Sequence, residues 1–206
     1  MPQGTRFMGI LSVPRSAWNH ACHDPQEQTM TYVVRRIEPG EWQQLRALRL
    51  EALQDSPSAF GTTYTDAAAL ADEAWQQQAE QDANSSTSAT FVATTLDGHW
   101  VGMAGSAPVE VVPGTYCIQG VYVTPAHRGR PGGLAARLVD VAITWARDNT
   151  DASWLTLGVH EDNQRAQAFY RRIGFTETGK VVPCRLDPSR KVTILGYEKF
   201  RLTTAR

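Results

Sequence analysis

From Tyr32 onwards, apolar and polar positions alternate in patterns that divide the chain into regular elements. Tyr32 to Ile37 is rich in β-branched residues and predicts a strand, which Pro39 and Gly40 end. Glu41 to Gln54 carries Trp42, Leu45, Leu48, Leu50 and Leu53 at helical spacing and predicts an amphipathic helix. Asp55, Ser56 and Pro57 stop it, and an Ala-, Gln- and Glu-rich stretch predicts one further helix over Asp66 to Asp82. Two strand-like runs, Ala89 to Leu96 and His99 to Ala107, flank Asp97-Gly98, a strong hairpin signal.

The pattern then changes. Thr115 to Val123 predicts a strand, followed by a glycine-rich loop and a helix from about Gly133 to Asp148. The stripe expected to be buried on that helix is Leu134, Leu138, Val141 and Trp145. A strand over Ser153 to Val159, a helix over Asn163 to Ile173 and strand-like runs at Phe175 to Cys184 and Lys191 to Leu202 complete the chain. Meander signals ahead of a strand-loop-helix unit imply an α+β fold with a mixed, mostly antiparallel central sheet flanked by helices, not a doubly wound sheet. Residues 1 to 30 show no sustained period and read as a poorly ordered extension or a loosely docked arm. Residues 31 to 206 then form a single domain, a size that 206 residues allow.

Composition narrows the function. Apolar residues make up 42% of the chain, enough for a substantial core. Twenty basic residues stand against twenty-one acidic ones, a formal charge of −1. Nothing in that balance draws the chain towards nucleic acid or an anionic membrane, so any anion must be held by a local site. Cys22, Cys117 and Cys184 are too few and scattered for a disulfide framework; Cys117 and Cys184 lie in apolar surroundings that suit buried free thiols. The short apolar stretch Phe7 to Val13 does not suit a signal peptide, and no run approaches the roughly 18 residues needed to span a bilayer. A cytoplasmic location is the default. His20, Cys22 and His23 have no following pair with ligand spacing, and no metal is expected.

The segment with chemical content runs from Gly120 to Val139. Small residues lead from a strand end directly into a helix, so the first-turn N–H groups face outward with the positive end of the helix dipole behind them. That suits a phosphate or pyrophosphate, although such turns also serve simple chain reversal. There is no Gly-Lys-Ser/Thr ending and no Gly-x-Gly-x-x-Gly, which excludes a P-loop and a Rossmann fingerprint. Arg130-Pro-Gly-Gly133-Leu-Ala135, after Val123-Thr-Pro125, resembles the cofactor loop of the GNAT acetyltransferase family, Gln/Arg-x-x-Gly-x-Gly/Ala. Pro125-Ala-His-Arg128-Gly129 fits the same pattern from the left, so the two registers together make the loop about two residues longer than usual. Pro131, in addition, has no N–H to offer.

A second match lies downstream. Asn163-Gln-Arg-Ala166-Gln-Ala-Phe169-Tyr170-Arg-Arg-Ile-Gly174-Phe175 resembles the family's Asn-x-x-Ala-x-x-Phe/Leu-Tyr-x-x-x-Gly-Phe at every position. Ala166, Phe169, Tyr170 and Ile173 share one helix face, and Gly174 can supply a left-handed cap. An ordinary amphipathic helix has the same stripe; the conjunction with the loop is what is specific.

The resemblance implies direct transfer of an acetyl group from acetyl-CoA to a primary amine. It places Tyr122, Val123, Arg128, Gly129, Arg130, Gly132, Gly133, Leu134 and Ala135 at the pantetheine and pyrophosphate, and Asn163 beside the pantetheine arm. Tyr170 is then the acid for the departing thiolate: a phenol of pKa about 10 can donate to a thiol of about 8.5 as charge builds. Glu110, His160 and Glu161 are alternative general bases, or solvated loop groups, and Gln119 could only position a water. Ser56-Pro-Ser-Ala-Phe60-Gly61 falls in the region that shapes the acceptor site in the family and resembles small-molecule and antibiotic-modifying members. The acceptor expected is a small-molecule amine, an antibiotic or a metabolite; a protein N-acetyltransferase and a non-catalytic CoA-binding module are the alternatives. Many relatives dimerise through sheet edges or helices, and the last two strands offer an edge for a homodimer.

Overall fold

The computed structural model describes residues 31–129 and 133–203. The expectations for residues 1 to 30, and for Arg130, Pro131 and Gly132 in the loop, lie outside the described residues. Seven strands form one sheet: β1 (Val33–Arg36), β2 (Ala89–Thr94), β3 (Trp100–Pro108), β4 (Thr115–Val123), β5 (Trp154–His160), β6 (Phe175–Pro183) and β7 (Lys191–Tyr197). Their order across the sheet is β1-β2-β3-β4-β5-β7-β6. Every neighbouring pair is antiparallel except β4 and β5. The mixed, mostly antiparallel sheet expected from the pattern is therefore the sheet that forms.

Helices cover both faces. On one side lie α1 (Trp42–Asp55), the short α2 (Tyr64–Ala68) and α3 (Asp72–Asn84); α4 (Leu134–Asn149) crosses β2, β3 and β4 on the other. A fifth helix, α5 (Gln164–Arg172), packs beside β6. The two-residue period of the strands feeds two separate cores. Phe91 and Ala93 face α4, while Val92 between them faces α1; Ala104 and Met103 divide in the same way. Among the described residues no helix is long and apolar enough to cross a membrane.

Several predicted boundaries shift. The single helix expected over Asp66 to Asp82 is two helices, because Ala71 is extended (φ −65°, ψ 156°) and restarts the turn. Thr63 caps the first of them by accepting from the Asp66 N–H at 3.0 Å. Asp72 and Glu73 suit the N-terminus of the second, where acidic side chains oppose the dipole, and Asp72 also meets Arg46 at 3.2 Å. The buried stripe of α4 is Leu134, Leu138, Val139, Ala142, Ile143 and Ala146; Val141 and Trp145 are only partly covered at its margin. The last strand stops at Tyr197 and gives way to 3-10 turns over Glu198–Thr203. Both described cysteines are free; Cys184 is buried, but Cys117 is only half-buried.

Two local predictions appear as drawn. Asp97-Gly98 sits in the β2–β3 hairpin, with Gly98 at φ +87°. Gly174 ends α5 at φ +103°, a conformation that costs side-chain-bearing residues steric strain.

Candidate active site

The parallel pairing of β4 and β5 is short: Thr115–Cys117 against Trp154–Thr156. Beyond Cys117 the two strands share no ladder among the described residues, and β5 turns to β7 for its partner from Thr156 to His160. The result is a wedge in the sheet whose walls are main chain. On its other edge β4 carries an extra residue, because Gly120 and Val121 together oppose Ala104. Gly120 takes φ +64°, which makes this a β-bulge of the glycine type. The bulge inverts the facing of the strand: Tyr116 and Ile118 point to the α4 core, yet Tyr122 points to the α1 core and Val123 back to α4. One inserted residue thus turns the strand end without breaking either core.

A cavity of about 620 Å³ opens at this wedge. Cys117, Gln119, Gly120 and Val121 line it from β4, Gly158 and His160 from β5, and Asn163, Ala166 and Tyr170 from the start and inner face of α5. Its opposite wall comes from α1, α3 and the connection between α1 and α2, including Phe60 and Gly61. Such a volume is typical of a small-ligand site.

The sequence-derived site residues separate by what they do here. The Tyr170 hydroxyl forms no hydrogen bond with a described residue, although its ring is almost fully buried against Phe169 and Phe175. Burial pushes the phenol above its usual value, so it stays a neutral O–H donor at the cavity. Asn163 caps α5: its Oδ1 accepts from the Ala166 N–H at 3.0 Å, which leaves its NH2 for another partner. Tyr122 and Val123 send their side chains into the two cores, and Tyr122 donates to Glu51 Oε1 at 3.0 Å. Only their main chain can reach a ligand.

At the loop, Gly133 is left-handed (φ 54°, ψ 58°) and precedes α4 with no side-chain cap and no acidic residue in the first turn. The first bond of the helix runs from Arg137 N–H to Gly133 O at 3.1 Å, so the amides of Leu134, Ala135 and Ala136 have no acceptor within the helix. That is an N-terminus arranged for an anion. Gly129 is also left-handed, at φ +68°, with open space where a Cβ would stand. Arg128 differs from the others. Its amide is taken by the Pro125 carbonyl at 3.3 Å, and its guanidinium holds Val123 O at 2.7 Å and the Asp55 carboxylate. It braces the loop rather than offering it a main-chain donor.

Of the alternative bases, His160 lines the cavity and is buried; its Nδ1 faces the Asp162 N–H at 3.3 Å. Gln119 lines it as well. Glu161 is held outside by Arg190 at 3.0 Å and by the Lys191 N–H at 3.1 Å. Glu110 is exposed in the turn that precedes β4, at the opposite strand end from the loop. Burial pushes the Cys117 thiol up, which keeps it protonated and a poor nucleophile. Sequence reasoning missed Arg49, Trp75 and Asp82 on the opposite wall. Arg49 lies between apolar positions of α1 and Asp82 near a helix end, and only an interruption of the apolar stripe marked the first.

Comparison with known proteins agrees with this geometry. The family model described as Acetyltransferase (GNAT) family matches residues 42–175. No curated protein matches the chain. A GNAT-family acetyltransferase from Streptococcus pneumoniae is similar in structure with a TM-score of 0.67 at 21% identity, covering 81% of this chain and 98% of that one. Spermidine N-acetyltransferase from Vibrio cholerae, solved with CoA and spermine, gives 0.65 at 16% identity over 82% and 97% of the two chains. Ribosomal-protein-alanine N-acetyltransferase from Brucella melitensis gives 0.63 at 22% identity over 80% and 98%. At these identities the likeness is one of fold, and the neighbours' acceptors differ. With the family model spanning residues 42–175, more than half of the chain, the chain belongs to the GNAT acetyltransferase family.

Proposed function

We propose that this protein is an acetyl-CoA-dependent N-acetyltransferase acting on a primary amine of a small molecule. The observation that carries the reading is the Tyr170 hydroxyl, with no hydrogen bond to a described residue, on the cavity at the β4–β5 wedge; the uncapped, acid-free N-terminus of α4, which follows β4 in the chain, supports it. The residues fit coenzyme A in kind: amides for a diphosphate, strand main chain for an extended amide-bearing arm, and a neutral phenol for a sulfur leaving group.

In this reading the amides of Leu134 and Ala135, with the turn at Gly129 and Gly133, hold the diphosphate. Main-chain groups on the wedge side of β4, up to Tyr122 and Val123, and the Asn163 NH2, align the pantetheine arm. Acetyl-CoA would supply the activated acyl carbon. Tyr170 donates its proton to sulfur, a role that its burial as a neutral phenol favours. The attacking amine must be neutral; on the cavity His160 of β5 could take its proton, directly or through water, and Gln119 of β4 could position that water. A protonated Cys117 argues for transfer without an acyl-enzyme step.

Calorimetry with acetyl-CoA, paired with a thiol-release assay across polyamines, aminoglycosides, amino acids and peptides, tests the proposal. Micromolar binding and acceptor-dependent thiol release are expected. Folded protein that fails to bind acetyl-CoA at millimolar concentration would remove it.

A further inference from the structure

The cavity wall facing the wedge holds a cation that the transfer chemistry does not use. Arg49, on the inner side of α1, stacks its guanidinium over Phe60 with 4.6 Å from Cζ to the ring centroid. Its Nη1 approaches the β4 bulge closely enough that a Cβ on Gly120 would lie 3.4 Å away. The guanidinium forms no hydrogen bond and no ion pair with any described residue, in contrast to Arg35, Arg36, Arg128 and Arg190. Burial pushes it down from its ordinary value, the sign of a cation withdrawn from water, although an arginine stays charged.

The other charged group on this wall cannot answer it by contact. Asp82 Oδ1 accepts from Gln78 Nε2 at 3.0 Å and Oδ2 from Thr90 Oγ1 at 2.9 Å. Asp82 attracts both Arg36 and Arg49 from beyond ion-pair distance, so two guanidinium groups stand against one carboxylate. Arg36 is occupied behind it by the carbonyls of Asp82, Ser85 and Ser88. Trp75, on the same wall, has a buried indole Nε1 with no partner among the described residues. The wall therefore offers donors and positive charge, which suits an anion and repels a polycation.

We propose that Arg49 reads a carboxylate on the acceptor, so that the substrate class is amino-carboxylates, amines that carry an acid group, rather than polyamines or aminoglycosides. This rests on the acetyltransferase reading above and specifies its acceptor. Arg49 binds the acid while the amine faces the wedge at Gln119 and Tyr170. The acid would give the already buried guanidinium the partner it lacks among the described residues.

Matched pairs of probes test it: L-glutamate, L-methionine and L-phenylalanine, each beside its carboxamide, with spermidine as a cationic control. Thiol release gives kcat/KM for the wild type, Arg49→Gln and Arg49→Lys; calorimetry gives acetyl-CoA affinity for each, and saturation-transfer NMR gives acceptor binding to the CoA-loaded protein. The wild type should prefer at least one acid over its carboxamide by about 10- to 100-fold, the span of a charge-assisted hydrogen bond. Arg49→Gln should bring that ratio close to one through KM, with acetyl-CoA affinity unchanged. Equal use of acid and carboxamide by the wild type, better use of spermidine, an unchanged ratio in Arg49→Gln, or a CoA-loaded protein that binds none of the acids would each overturn the inference. The wild-type ratio stands whether or not the variants fold. Failure of acetyl-CoA itself to bind would instead remove the enzymatic reading on which the inference is built.

Discussion

Arg128 pairs through its guanidinium with the carboxylate of Asp55, 73 residues earlier, and ties the start of the glycine-rich loop to the end of α1. The same group holds the last carbonyl of β4 and stacks on Tyr122, so three elements meet at one side chain. Asp55, with the hydroxyl of Ser56 also donating to it, is held below the usual carboxylate range. A depressed value means stability that is present above the unfolded pKa of about 3.9 and is lost as pH falls through the folded one. Asp55→Asn should therefore cost about 1 kcal/mol at neutral pH, both side chains being partly screened. Denaturant melts across pH should show the gap between variant and wild type closing below pH ~4.

Asn163 serves two partners if the proposal is right, and two substitutions separate them. Asn163→Ala removes the cap on Ala166 and should cost about 1 kcal/mol. Asn163→Asp keeps an accepting oxygen and should keep most of that stability. Both should weaken acetyl-CoA binding, because both lose the NH2. Calorimetry showing normal affinity in Asn163→Asp would confine the residue to capping.

The open end of α4 makes a prediction with opposite signs. Ala136→Glu adds the acid that the first turn lacks, which should raise the stability of the free protein by about 0.5 kcal/mol through the helix dipole. The same charge should repel a diphosphate and lower acetyl-CoA affinity about tenfold, in keeping with the size of such a local charge effect. Thermal melts and titration of one sample measure both. Unchanged affinity would move the diphosphate away from this helix.

Tyr170→Phe leaves the ring contacts with Phe169 and Phe175 in place and removes only the hydroxyl. Since that hydroxyl has no hydrogen bond to a described residue, stability should hold. Turnover should fall about 100-fold or more, the ordinary range for a lost general acid, with acetyl-CoA affinity little altered. Wild-type turnover in Tyr170→Phe would take the residue out of proton transfer.

Local chemistry made much of this legible in advance. The Asp97-Gly98 hairpin, the helix beginning at Asn163 and its stop at Gly174 depend on residues within a few positions of one another, and each formed where the pattern placed it. The strand-loop-helix unit and the mixed sheet followed from the same periodicities. The break at Ala71 was hidden because alanine-rich sequence favours helix on both sides of it, while the packing of α1 on α3 and the Arg46–Asp72 pair reward a restart.

Periodicity and capping are properties of short stretches, and these the amino-acid order settled without help. The wedge between β4 and β5, the bulge that reverses Tyr122, the brace from Arg128 to Asp55 and the setting of Arg49 against Gly120 all depend on groups brought together from distant parts of the chain. Their energies come from burial and pairing that exist only once the sheet and both helical layers are assembled, which is why the elements could be read from the chain and the shape of the cavity could be read only from the fold.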